Sequence, residues 1–206
     1  MKKVLLTAAI AVFGLTNMNA QEDDKTFGFS EGDIFVEGNV GFNSYNDKNF
    51  DEKSNSFSIS PKVGYFINDD LAIGGELMFN SSKTEVAGTD TSKFSGFGVG
   101  AFARYYFLDL GERFKTNAEF GVNYSSNNDK INDVKLNGFG AGLGLGINYF
   151  ATEKIALTFG LKNVLSFSSA KYDTDGAEAE TSFNFGFGDV ANPFGGNASF
   201  GLLFVF

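Results

Sequence analysis

The chain has 206 residues, 16 Lys and Arg against 25 Asp and Glu, and neither His nor Cys. Its acidic balance argues against nucleic acid as a partner, because phosphate binding needs a basic footprint. Without His or Cys there is no Ser–His or Cys–His pair, no thiolate metal site and no disulfide frame. Ser–Lys or carboxylate chemistry stays formally open, yet the composition points to a non-enzymatic protein with no metal or cofactor.

Lys2 and Lys3 precede an apolar run, "VLLTAAIAVFGL" (4–15), and "TNMNA" (16–20) ends on a small residue at Ala20. This is the pattern of a secretory signal peptide over 1–20, with cleavage leaving Gln21 first; retention as an N-terminal anchor is the alternative. Residues 21–32, "QEDDKTFGFSEG", read as a short periplasmic leader. No later run is long and apolar enough for a spanning helix.

From Asp33 the chain alternates with period two, the strand signature. "DIFVEGNVGFN" (33–43) puts Ile34, Val36, Val40 and Phe42 on one face and Glu37, Asn39 and Asn43 on the other. "NSFSISPKVGYFI" (55–67) sets Phe57, Ile59, Val63 and Tyr65 against Ser58, Ser60 and Lys62, and its Pro61 suggests a bulge. "LAIGGELMFN" (71–80), "FGVGAFARYYF" (97–107) and "FKTNAEFGVNY" (114–124) repeat the plan, with Glu76, Arg104 and Glu119 on their polar faces. "NGFGAGLGLGINYF" (137–150) places glycine at every second position from Gly138 to Gly146. "IALTFGLKN" (155–163) and "ASFGLLFVF" (198–206) complete eight segments. The stretch 181–196 reads as part of a hairpin at the long-loop end followed by a kink.

Short connections (68–70, 108–113, 151–154) alternate with long polar ones around 44–54, 80–92, 125–134 and 168–195. An eight-strand meander of this kind closes into a barrel so that no edge stays unpaired. With the apolar rows inside it is a soluble ligand-cavity barrel; with them outside it spans a membrane around a polar lumen. Three features favour the second: apolar rows of membrane-crossing length, full charges in mid-strand, and aromatic residues at both strand ends. Tyr65, Tyr105, Phe107, Tyr149 and Phe206 mark one end; Phe42, Tyr45, Phe57, Phe79, Phe97, Tyr124 and Phe139 mark the other. The fold class is therefore all-β, an eight-stranded antiparallel up-and-down transmembrane β-barrel over 33–206. The glycine row then leaves space in a narrow bore, with Lys62 and Phe66 as the expected facing groups; easing barrel curvature is a compatible role.

These strands, turns and the terminal "FGLLFVF" resemble the small outer-membrane β-barrel family that includes the OmpA transmembrane domain, OmpX and opacity-type proteins. The resemblance implies a Gram-negative outer membrane reached by signal-directed export, with outer-membrane lipid as surroundings and long loops exposed outside. In that family a terminal aromatic row resembles the signal read by the outer-membrane assembly machinery, and Phe200, Leu202, Phe204 and Phe206 match it. A wall-anchoring domain of the OmpA type is not implied.

Glu37, Lys62, Glu76, Arg104 and Glu119 alternate in sign on successive strands at similar heights, so neighbouring charges are expected to pair across the bore. Such a lattice serves either as a plug that fixes register or as a gate in a narrow pore for ions or small solutes. "YDTDGAEAE" (172–180) is acidic but lacks calcium-loop spacing, and "GVGAFA" (98–103) has no strand–helix turn for a dinucleotide. A surface ligand is not legible.

Overall fold

A computed structural model describes residues 27–186 and 198–206. The expected signal peptide, the start of the leader and residues 187–196 of the hairpin stretch lie outside the described residues.

The strands are β1 (Ile34–Asp47), β2 (Glu52–Asn68), β3 (Leu71–Val86), β4 (Thr89–Asp109), β5 (Phe114–Asp129), β6 (Val134–Thr152), β7 (Ile155–Tyr172), β8 (Glu180–Phe185) and β9 (Ala198–Val205). Each of β1 to β7 pairs antiparallel with the next. One side of β7 is shared: its outer part pairs with β8 (Leu165↔Phe185 to Ala170↔Glu180), its inner part with β9 (Ile155↔Phe204 to Leu161↔Ala198). The strand β9 also pairs with β1, from Phe35↔Val205 to Asn39↔Gly201, and so closes the ring. Thus β8 and β9 are two pieces of the eighth wall position, and the alternating stretch from Thr181 forms the outer piece.

Exposure identifies the two faces. Phe120 is 52% exposed and Phe139 68%, whereas Lys62 and Arg104 are 3% and 4% exposed. The apolar rows look outward and the polar rows toward the axis, which rejects the ligand-cavity arrangement.

The strands run for 14 to 21 residues from β1 to β4, beyond the nine to eleven or so that a tilted strand needs to cross hydrocarbon. The extra length corrects the expected long loops. Most of 44–54, 80–92 and 125–134 is strand, leaving turns at only 48–51, 87–88 and 130–133. Ser, Asn, Asp and Lys read as loop because neither face there is apolar; ladder hydrogen bonds need no such face. At the β3–β4 tip, Ala87 (φ 50°) and Gly88 (φ 75°) both have positive φ, as a tight two-residue hairpin demands.

Two further expectations change. Pro61 stands opposite Gly38 with no bulge; the β2–β3 ladder lapses at Ser60 and Pro61 and resumes in the same register at Lys62↔Glu76. A missing N–H costs that ladder locally without shifting it. Tyr45 leaves the outer aromatic girdle, since it pairs with Ser54 on the lumenal face. The remaining girdle residues keep the outward parity.

The core sits at the short-turn end. Phe35, Phe66, Ala72, Phe102, Tyr106, Phe150, Ala156, Leu203 and Val205 form one buried cluster across the bore. Into it fits the described end of the leader. The Phe29 ring stacks on Phe66 at 4.3 Å and meets Tyr106 at 4.6 Å and Phe150 at 5.2 Å. Arg113 covers Phe27 at 4.3 Å, and Gly32 N–H donates to the Phe66 carbonyl at 2.9 Å.

Candidate lumenal charge cluster

Above this aromatic floor lie all five singled-out charges. Register sets Lys62 beside Glu37 and Glu76, and Arg104 beside Glu119. Side-chain reach then decides the pairing. Arg104 Nη1 donates to Glu37 Oε2 at 2.7 Å, spanning from β4 to β1, while Nη2 and Nε donate to Glu119 Oε2 at 2.6 and 2.8 Å. Lys62 Nζ donates to Glu119 Oε1, also across the bore, and stands 3.4 Å from Glu76 Oε2. Neighbour pairing is therefore half of the arrangement, and the bore-spanning pairs Glu37–Arg104 and Lys62–Glu119 are the rest. A long side chain in a narrow ring reaches the opposite wall as easily as the adjacent strand.

Neutral groups complete the hydrogen bonding. Asn39 donates to Glu37 Oε1 at 3.1 Å, and Asn148 donates to Tyr106 Oη at 2.9 Å. The cations also lie over ring faces: Lys62 is 4.9 Å from the Phe102 centroid and Arg104 is 5.1 Å from that of Phe35. Charges taken out of water cost several kcal/mol each unless partners replace the lost hydration, and here Glu37, Glu76 and Glu119 each have a cation.

The glycine row opens the wall for this cluster. Asn117, Glu119 and Asn123 on β5 stand opposite Gly146, Gly144 and Gly140 on β6. A Cβ on Gly146 or Gly140 would come within 2.7 Å of Oδ1 of Asn117 or Asn123. On Gly142 it would come within 2.9 Å of Asn163 Oδ1, a residue of β7 turned inward with φ 58°. The space thus goes mainly to adjoining strands, correcting the expected Lys62 and Phe66. Phe66 packs in the floor, whereas Lys62 does reach the small cavity bordered by Gly144 and Gly146.

That cavity has a volume of about 40 Å³ and is also bordered by Asn117, Thr158, Lys162 and Ser199. It holds a few waters at most. Lys162 forms no ion pair among the described residues. Its place on the polar face of "IALTFGLKN" signals a lumenal lysine, although nothing in the sequence brings it to this cavity. Phe200, Leu202, Phe204 and Phe206 form the outward row of the last strand, with Phe200 packed on Phe159 at 5.1 Å.

A closed ring of amphipathic strands with lipid-facing apolar rows and a charged bore defines an integral outer-membrane β-barrel. The chain belongs to the family of the outer membrane protein beta-barrel domain, whose model matches residues 6–189. Among solved structures, OprG from Pseudomonas aeruginosa is similar over 87% of this chain and 98% of its own, at TM-score 0.52 and 12% identity. Neisserial surface protein A aligns over 84% of this chain and 99% of its own, at TM-score 0.43 and 17% identity. The E. coli outer membrane protein W aligns over 86% and 99%, at TM-score 0.46 and 16% identity. No curated protein matches. At these identities the OprG likeness speaks for the fold alone. Family membership places the protein in the outer membrane of a Gram-negative bacterium.

Proposed function

We propose that the protein is a structural, surface-interacting barrel whose lumen is plugged. The observation that carries this reading is the double filling of the bore: the ion-pair cluster lies directly on the aromatic floor that receives Phe29. The sheet anchors the protein in lipid, and the extended hairpins, directed outward, present a polar surface to a partner outside the cell. Export follows from a signal peptide removed after Ala20. Assembly uses the terminal row Phe200, Leu202, Phe204 and Phe206. The chemistry is non-enzymatic, in keeping with the absence of His and Cys from the sequence.

Purified mature protein in planar bilayers tests the plug: the expected record has no large, steady pore, and a wide constitutive channel overturns the reading. Loss of surface recognition on deletion of the hairpin tips supports the interaction role. A second reading, a narrow pore for ions or small solutes, draws on Lys162 and the polar cavity beside it. Small regular conductance steps in the unaltered protein would favour it.

A further inference from the structure

Outside the bore, the outward faces of five strands and the turn after β5 share a pattern. On β2, β3 and β4, the girdle residues Phe57, Phe79 and Phe97 are each followed, four residues toward the long-loop end, by Lys53, Lys83 and Lys93. On β6 and β7, Phe139 and Phe167 are followed at the same spacing by Lys135 and Lys171. After β5, Lys130 opens the turn six residues beyond Tyr124, and its N–H continues the ladder to the Lys93 carbonyl at 2.7 Å. Even spacing keeps ring and lysine on one face of a strand. Four residues span about 13 Å along a strand, or about 10 Å along the membrane normal after the usual barrel tilt. If the rings mark the edge of the hydrocarbon, the ammonium groups stand at the level of lipid headgroups.

The arrangement is costly for the protein alone. Lys83 and Lys93 are direct cross-strand partners and Lys130 continues the row, so like charges sit side by side. The chain's own compensation is partial: Glu85 stands opposite Lys53 across the β2–β3 ladder, and Asp173 stands beside Lys135. Glu85 and Asp90 take Lys83 at 2.7 and 3.0 Å, and Asp90 reaches Lys93 only at 3.9 Å. Among the described residues, Lys53, Lys130, Lys135 and Lys171 form no ion pair. Between the rings and the ammonium groups lie Ser81, Ser95 and Asn128, on the same face. A groove of about 310 Å³ runs there, bordered by Phe57, Ser81, Ser95, Lys93 and Lys130. Moving outward, the surface changes from apolar to hydroxyl- and amide-bearing to cationic.

We propose that this lysine collar binds phosphorylated glycolipid of the outer leaflet, with acyl chains along the girdle, sugars on the hydroxyl row and phosphates on the ammonium groups. The gradient matches an amphiphile of that build, and a free polyanion would leave the apolar step unused. The chain's net charge of −9 makes a cationic ring at one height a local feature that bulk charge does not account for.

The test uses the full mature barrel folded in nonionic detergent, with native mass spectrometry reading bound lipid. The probes are bisphosphorylated lipid A and the same lipid stripped of both phosphates. The phosphorylated form is expected to bind about tenfold or more tightly, since each lysine near an anionic surface contributes roughly fivefold and two such contacts already exceed that. Binding should weaken with salt. Replacing all six lysines by glutamine should bring the two lipids to equal affinity, while replacement by arginine keeps the preference. Heat-modifiable gel migration reports whether each variant is folded. Should the sixfold variant not fold, Lys130→Gln with Lys135→Gln and Lys171→Gln is expected to cut the preference at least by half. Equal affinity of the unaltered barrel for both lipids, or an unchanged preference in a folded glutamine variant, overturns the proposal. Full displacement of the lipid by dilute inorganic phosphate also overturns it, because the site would then read phosphate alone.

Discussion

Arg104 and Glu37 meet across the bore at 2.7 Å although β4 and β1 are not neighbours, so this one pair ties opposite walls of the barrel together. Each is almost fully buried, and Arg104 shares its remaining donors with Glu119. Glu37→Gln is expected to destabilise the barrel by about 3 kcal/mol, the low end for breaking a buried pair, because Arg104 keeps Glu119. The double change with Arg104→Gln should cost less than the sum of the two single changes. Denaturant unfolding in detergent, run as a double-mutant cycle, reads both quantities. Additive losses would show that the pair is not coupled.

Removing the guanidinium altogether has a second consequence. Arg104 fills the middle of the bore, neutralises two carboxylates and lies over the Phe35 and Phe102 rings of the floor, so Arg104→Ala leaves Glu37 and Glu119 facing a widened gap and loosens the floor beneath it. Planar-bilayer recording should show small, intermittent openings in this variant that the unaltered barrel lacks. A silent Arg104→Ala barrel would place the seal below the cluster, in the aromatic floor.

The floor makes its own separable demand. Phe29 is held by three rings and comes from outside the strands. Phe29→Ala should lower stability by about 2–3 kcal/mol through lost burial and ring contacts. It should leave bilayer records unchanged, since the charges above still close the bore. Denaturant midpoints and conductance of the same preparation check the pair of outcomes. Openings without loss of stability would reverse the roles given to floor and cluster.

Period-two alternation made the ring legible, because lipid outside and charge inside write opposite chemistry onto alternate residues. It failed where that contrast fades. "SSKTEV" and "SSNND" carry polar residues on both faces and read as loop, although their ladders are complete. The five charges were visible as mid-strand exceptions, but their bore-spanning partners depend on closure and side-chain length, which spacing does not encode. The leader's "FGF" holds two aromatic residues at strand spacing in a polar stretch. Nothing in so short a run says that Phe29 folds back into the mouth. Lys162 was on the expected polar face, and only the bulge at β7 and the glycine row beside it explain the cavity there.

The β5–β6 turn offers a pH test separate from the lumen. Asp129 Oδ2 accepts from the Asn132 side chain at 2.7 Å, and Oδ1 accepts from the N–H groups of Ile131 and Asn132 at 2.9 and 3.2 Å. These bonds, the Asn132 side chain first, hold the Asp129 carboxyl below its ordinary value. A depressed folded value means that the turn is stabilised in full above the ordinary aspartate value of about 3.9 and loses that support as pH falls through the folded value. Amide exchange at Ile131 and Asn132, corrected for intrinsic rates, should therefore stay level from neutral pH to about 4 and rise only below it. Asp129→Asn keeps an acceptor but cannot titrate, so its protection should be lower at neutral pH and free of the acid step. A step centred near neutral pH, or one that survives Asp129→Asn, would assign the turn's stability to some other group.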